Sequence, residues 1–112
     1  MPGSNAPLPP ATFFILFALA AGAKHGYAIM QDVRKFSDDT FRIGPATLYT
    51  TIQRLLDSRW IEEVEGHAEA DSRRRYYRLT GPGRSAFQIE VRRIHALAKK
   101  AKTLRLLPED AL

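Results

Sequence analysis

The sequence predicts a mostly α chain with one small β-hairpin, and three observations support this. Three apolar-periodic segments lie within the first 59 residues. Two short runs rich in β-branched and aromatic residues follow, one on each side of a polar loop. A last long segment then repeats apolar residues every three or four positions. Helix, helix, helix, strand, strand, helix is the order of a winged helix-turn-helix with one C-terminal helix added. At 112 residues the chain has room for one domain, which buries about two-thirds of its unfolded surface. The expected division is a flexible N-terminal arm at 1–10, a winged-helix domain at 11–80, a C-terminal dimerisation helix at 81–107 and a tail at 108–112.

The first helix is expected from ATFFILFALAAGA, residues 11–23, ending at Gly22. This run resembles the apolar part of a signal peptide, with an A-x-A-like pattern at residues 18 to 20. However, MPGSNAPLPP before it carries no Lys or Arg, and the run is shorter than the roughly 20 residues a membrane crossing needs. A first core helix, a cytoplasmic chain and no membrane partner are therefore expected. The second helix starts near His25, and Tyr27, Met30 or Ile29, Val33 and Phe36 share one face. Ser37-Asp38-Asp39-Thr40 stops it with turn residues, and Phe41-Arg42-Ile43 is an extended lead-in.

Gly44-Pro45 opens the third helix, at 45–59. Proline suits a first turn because the N–H it lacks would have no intrahelical partner there. Leu48, Ile52, Leu55 and Leu56 form the apolar stripe. Trp60-Ile61-Glu62-Glu63-Val64 reads as a strand and GHAEADS as the loop. RRRYYRL, residues 73–79, reads as the return strand, with Tyr77 and Leu79 inward and Tyr76 and Arg78 outward. Thr80 is a natural N-cap for the last helix, which should run to about residue 106, before Pro108. Phe87, Val91, Ile94, Ala98 and Ala101 recur at alternating four- and three-residue steps, and Leu97 and Leu104 widen the stripe. This stripe lies beyond the compact three-helix unit, and a second copy of the same helix is its simplest cover. The alternative is that it folds back on the first helix.

Charge narrows the partners. Residues 73 to 105 hold eleven Lys/Arg and one acid, Glu90, while the rest of the chain holds six basic residues and eleven acids. Such a basic segment suits phosphates or a solvated helix face. In a helix-turn-helix the second helix of the pair enters the major groove, N-terminal residues first. Here that helix is 45–59. Thr47 and Thr50 can donate or accept, Tyr49 offers a ring and a hydroxyl, Gln53 suits adenine, and Arg54 suits guanine or phosphate. Tyr49 alternatively sits half buried beneath the wing. Arg73, Arg74 and Arg75, in the wing at 62–78, suit phosphate contact or a narrow minor groove. Covering an edge strand is the plainer role for that triplet.

Catalysis is not expected. The chain has no cysteine, so no disulfide scaffold, thiolate metal site or cysteine nucleophile. His25, His67 and His95 lie on separate elements, none with a second ligand at metal spacing. Gly81-Pro82-Gly83 is a turn rather than a phosphate cradle, and the serines have no nucleophile context. No cofactor and no metal are expected.

HGYAI (25–29), GPATLYTTIQRLLDSRWIE (44–62) and RRRYYRLTGPGR (73–84) resemble the PadR family of bacterial transcriptional regulators, over about residues 13–107. The resemblance implies a dimeric winged-helix repressor that pairs through its C-terminal helix. In many members, a small aromatic or drug-like ligand releases the DNA. It places Thr47 and Tyr49 at the start of the recognition helix and Arg73, Arg74 and Arg75 on the wing. It places Phe87, Val91, Ile94, Ala98 and Ala101, with Leu104, on the dimer helix, helped by the first helix. Gly44 and Ala46 depart from the pattern, which has Ser or Thr, and then Gly, in these places. Gly81-Pro82 replace an acidic and basic pair. Trp60 does not lie on the dimer helix, so a sandwich of dimer-helix tryptophans is not expected. A ligand pocket would instead use Phe13, Phe14 or Phe17, although core packing is the favoured role for these rings. The function expected is a sequence-specific, double-stranded-DNA-binding repressor. The rival readings are a winged-helix protein-interaction module and an RNA-binding winged helix.

Overall fold

In the computed structural model, which describes residues 6–65 and 74–108, α1 (Pro10–Ala20) lies at the centre. Its sequence is apolar on every side, and such a helix must be covered all round. Ile15, Leu16, Ala18 and Leu19 are buried, and α1 touches the second, third and fourth helices and the last strand. Its aromatic side chains fill the gaps between elements. Phe14 stacks on Phe41, Phe17 on Phe36 and Phe13 on Phe87, with ring centroids 5.7, 4.6 and 5.7 Å apart. The helix stops slightly before the expected end, because Gly22 turns the chain with φ at 142°.

A strand not expected from the sequence comes next. β1 (Lys24–His25) pairs antiparallel with β3 (Tyr76–Leu79), Lys24 opposite Tyr77 and His25 opposite Tyr76. Lys24 Nζ donates to the Ala18 carbonyl (2.6 Å) and meets Asp32 (3.0 Å), fastening the end of α1 to α2 (Gly26–Phe36). The inward face of α2 is Ile29 and Val33, with Met30 and Phe36 half-buried. Tyr27, expected inward, is 60% exposed, because at 100° per residue it lies on the side of α2 opposite the buried Ile29 and the half-buried Phe36. Asp38 and Asp39 take positive φ in the following turn, where Asp39 bridges Arg34 and Arg42.

Gly44 and Pro45 open α3 (Pro45–Asp57), which buries Leu48, Thr51, Ile52 and Leu55. It ends two residues before the expected limit, and Arg59 turns out of it with φ at 63°. β2 (Ile61–Val64) pairs with β3 from Ile61 opposite Leu79 to Val64 opposite Tyr76, giving the sheet order β1-β3-β2. Ile61, Tyr77 and Leu79 point into the core.

Thr80 caps α4 (Gly81–Thr103) as expected, its Oγ1 accepting from the Gly83 N–H (3.1 Å) and donating to the Arg59 carbonyl. The first half of α4 packs on α1. Phe87 lies against both Phe13 and Phe17, and Glu90 is only 4% exposed. Glu90 accepts two bonds from Arg93 (2.7 and 2.9 Å) and one from the Leu8 N–H (3.1 Å). The Arg93 guanidinium holds the Glu90 carboxyl below its usual range. The structure therefore differs from the expected arm at 1–10. Leu8 is fastened to α4 and α1 begins at Pro10, while residues 1–5 lie outside the described residues. The tail at 109–112 also lies outside them. α4 ends at Thr103 rather than near residue 106, because Arg105 adopts φ of 60°. Its second half leaves the body, and the molecule measures 52 × 31 × 24 Å. The radius of gyration is 15.7 Å, against about 13 Å for a compact chain of this length.

Gly83 permits the join between the hairpin and α4. A Cβ there would lie 1.9 Å from the Trp60 carbonyl oxygen, whereas a Cβ on Gly81 would meet nothing. Gly83→Ala should therefore destabilise the fold by about 3 kcal/mol in urea unfolding, and Gly81→Ala should leave it unchanged or slightly more stable. Equal midpoints for the two variants would contradict this packing.

Candidate nucleic-acid interface

The apolar stripe of α3 fixes what its other side presents. With Leu48, Ile52 and Leu55 buried, Thr47, Tyr49, Thr50, Gln53 and Arg54 are all exposed. Gln53 donates to Asp57 (3.0 Å), which steadies its amide on the helix surface. Tyr49 is 52% exposed and shares a cleft with residues of the wing return. Its hydroxyl reaches Gly26 so closely that a Cβ there would sit 2.5 Å from the oxygen. Gly26 therefore brings the start of α2 against the first turns of α3, the juncture of a helix-turn-helix.

Next to this juncture lies a cleft of about 450 Å³, lined by His25, Gly26, Tyr27, Tyr49, Arg74, Arg75 and Tyr77. It joins three parts of the chain: the start of α2, the start of α3 and the return arm of the hairpin. Arg74 and Arg75 are exposed on its rim. Arg73 lies outside the described residues, as does GHAEADS, residues 66–72, expected as the loop. Burial, with Glu63 nearby, raises the Tyr77 phenol above its usual pKa, so it is a neutral donor at pH 7.

His25 occupies the centre. Its Nδ1 accepts from the Ala28 N–H (3.3 Å) and caps α2. Its Nε2 lies 3.0 Å from Arg74 Nη1, and its ring stands edge-on to Tyr76. Burial, then the Arg74 charge, lowers its pKa from the ordinary 6.5, so the neutral imidazole prevails at pH 7. Sequence reasoning included His25 only as part of a motif and gave it no site role. The signal available was the His-Gly pair itself: a capping side chain followed by a residue with no Cβ.

The residues expected on the last helix divide into two groups. Phe87 is half-buried against α1 of its own chain. Val91, Ile94, Leu97 and Leu104 are exposed, Ile94 by 42% and Leu97 by 52%, and Ala98 and Ala101 are half-exposed between them. At 100° per residue, Ile94, Leu97, Ala101 and Leu104 continue the face that Gly83, Phe87 and Glu90 turn to the body. Phe13, Phe14 and Phe17 pack as aromatic neighbours of one another and of Phe36, Phe41 and Phe87. Among the described residues, no group of His, Asp and Glu could hold a metal, and no helix is long and apolar enough to cross a membrane.

The family model described as "Transcriptional regulator PadR-like family" matches residues 15–89. A transcriptional regulator from Clostridium thermocellum is 27% identical, with a TM-score of 0.67 over 83% of this chain and 87% of that one. Bacillus subtilis PadR, solved in complex with operator DNA, is 19% identical, with a TM-score of 0.59 over 69% of this chain and 44% of that one, a likeness of fold alone. An uncharacterized protein from Lysinibacillus sphaericus is 36% identical over 62 residues, or 55% of this chain, and the match spans 57% of that relative's length.

The lowered His25 pKa makes stability depend on pH. The unfolded chain takes up the His25 proton more readily than the folded chain, so stability rises with pH through this range. The contribution is complete above about pH 7 and is lost as pH falls below the folded-state pKa. His25→Asn keeps a capping acceptor. It should reduce the loss of thermal stability between about pH 7 and pH 5. Identical pH profiles for the variant and the parent would contradict the assignment.

Proposed function

The chain belongs to the PadR-like family of transcriptional regulators, and from that premise we propose that it is a sequence-specific DNA-binding repressor that works as a homodimer. One observation carries this reading. Tyr49, on the exposed side of α3, and Arg74 and Arg75 of the wing return line one cleft. α3 is the recognition helix. Thr47, Tyr49, Thr50, Gln53 and Arg54 face the major groove, with the first turns nearest the bases. Arg74 and Arg75, with Arg73 beside them in sequence, hold the phosphates or the adjoining minor groove. Affinity comes mainly from the phosphate contacts and selectivity from α3.

The dimer follows from α4. Val91, Ile94, Leu97, Ala98, Ala101 and Leu104 leave an apolar strip along a helix that extends beyond its own domain. A second α4 crossing it in two-fold symmetry covers both strips at once. It also brings a partner over the half-exposed rings of Phe13 and Phe17, so α1 joins the interface. Two copies then present two recognition helices to a pseudo-palindrome with half-sites about one helical turn apart. Release by a small aromatic ligand completes the reading. Phe13, Phe17 and Phe87 offer flat apolar faces at the crossing of α1 and α4.

Replacing both Arg74 and Arg75 with Ala should weaken binding to every duplex. It should also flatten the plot of log affinity against log salt by about 0.9 for each phosphate no longer neutralised. An unchanged slope removes the wing from the interface. Ile94→Glu should give a folded monomer by light scattering and circular dichroism, since Ile94 is exposed within its own chain. A variant that stays dimeric removes α4 from the dimer interface.

A further inference from the structure

We propose that the cleft between the start of α2, Tyr49 and the wing return is a seat for one phosphate group, supplied by the backbone of the bound duplex. The inference rests on the DNA-binding reading and adds His25, with a defined tautomer, to the residues that hold DNA.

The count of donors and acceptors points to an anion. Arg74 can only donate. The neutral His25 ring carries one N–H and one acceptor nitrogen. Its Nδ1 accepts from the Ala28 N–H (3.3 Å), so the proton sits on Nε2. Nε2–H then faces Arg74 Nη1 at 3.0 Å, donor against donor. The other tautomer only moves the conflict, because Nδ1–H would face the Ala28 N–H and α2 would lose its cap. Both conflicts vanish when an anionic oxygen enters the cleft and accepts from His25 Nε2–H and Arg74 together.

The surroundings fit a phosphate. Arg75 stands on the same rim, and the phenols of Tyr27 and Tyr49 line the cleft. The described lining residues include no carboxylate. The Lys24 ammonium, on the residue before His25, is engaged by Asp32 and the Ala18 carbonyl. From β3, Tyr76 presents its ring to the imidazole, and Tyr77 stays neutral at pH 7. Burial and the Arg74 charge keep His25 neutral at that pH, which preserves the Nε2–H donor. A phosphodiester presents two free oxygens to these converging donors. Because Tyr49 belongs to both the cleft and the outer face of α3, a phosphate held here is one flanking the bases that α3 meets.

The test uses the full chain. Long-range nitrogen NMR of labelled histidine should show the Nε2–H tautomer for His25 in the free protein, and a fixed Nδ1–H form would overturn the proposal. His25→Asn, which keeps the cap, should weaken duplex binding about tenfold, as expected for loss of a hydrogen bond to a charged group. Arg74→Gln, at an exposed position, gives the same reading should the first variant fold poorly. A duplex carrying single neutral methylphosphonate linkages should reveal one position per half-site that costs the parent protein about tenfold and costs His25→Asn little. If His25→Asn is folded and binds like the parent, or if the linkage penalties are equal in both, the seat is overturned while DNA binding stands. Should the parent bind no duplex at all, the DNA reading fails and inorganic phosphate decides. A saturable shift of the His25 signals, abolished in Arg74→Gln, would retain the cleft as a seat for free phosphate, and no shift would overturn it.

Discussion

The pairing of two residues, Lys24 and His25, with Tyr77 and Tyr76 is the contact on which the rest of the arrangement depends. A two-stranded hairpin alone is marginal in water. β1 adds the third strand, and it leads directly into α2. The hairpin is thereby fixed against the helix pair rather than hinged at its base. At the same point, His25 caps α2, Gly26 admits the Tyr49 hydroxyl, and Arg74 arrives from the wing. A short pairing thus determines where α3 and the wing return stand relative to each other, and that spacing is what a duplex would meet.

The second constraint is that α4 serves two purposes with one stripe. Its first half completes the core through Phe87 and is fastened by Glu90, Arg93 and Leu8. Its second half carries the same periodicity away from the body, where Ile94, Leu97 and Leu104 are exposed among the described residues. The join at Gly83 sets the direction of the whole helix, because only a residue without a Cβ lets the first turn rest on the Trp60 carbonyl. A dimer built on α4 would inherit that direction, and with it the distance between its two recognition helices.

Much of this was legible in the sequence because it is periodic. The order of elements, the inward Leu48, Ile52 and Leu55, the alternation at Tyr77 and Leu79 and the Thr80 cap follow from helical and strand spacing and from cap chemistry. β1 was not legible, since two residues are too few to show a period. Tyr27 shares a three-residue spacing with Met30 and Val33, yet at 100° per residue it stands nearly opposite Ile29 and Phe36, which set the inward face. Phe87 fits the stripe of α4 but lies in the half that covers α1. The outer side chains of α3 were identified by subtraction from the buried ones. His25 was not, because its role arises from Arg74, 49 residues away, and no local pattern encodes that meeting.

The central claim is selective recognition of duplex DNA by the face that α3 and the wing return share. Fluorescence anisotropy on duplex from upstream of the protein's own gene, with a shuffled duplex as control and at several salt concentrations, tests it most directly. Recognition by this face predicts steep salt dependence and a preference for the true sequence of about a thousandfold or more. Absence of binding to either duplex at low salt would contradict it and would leave the winged-helix fold serving protein interaction.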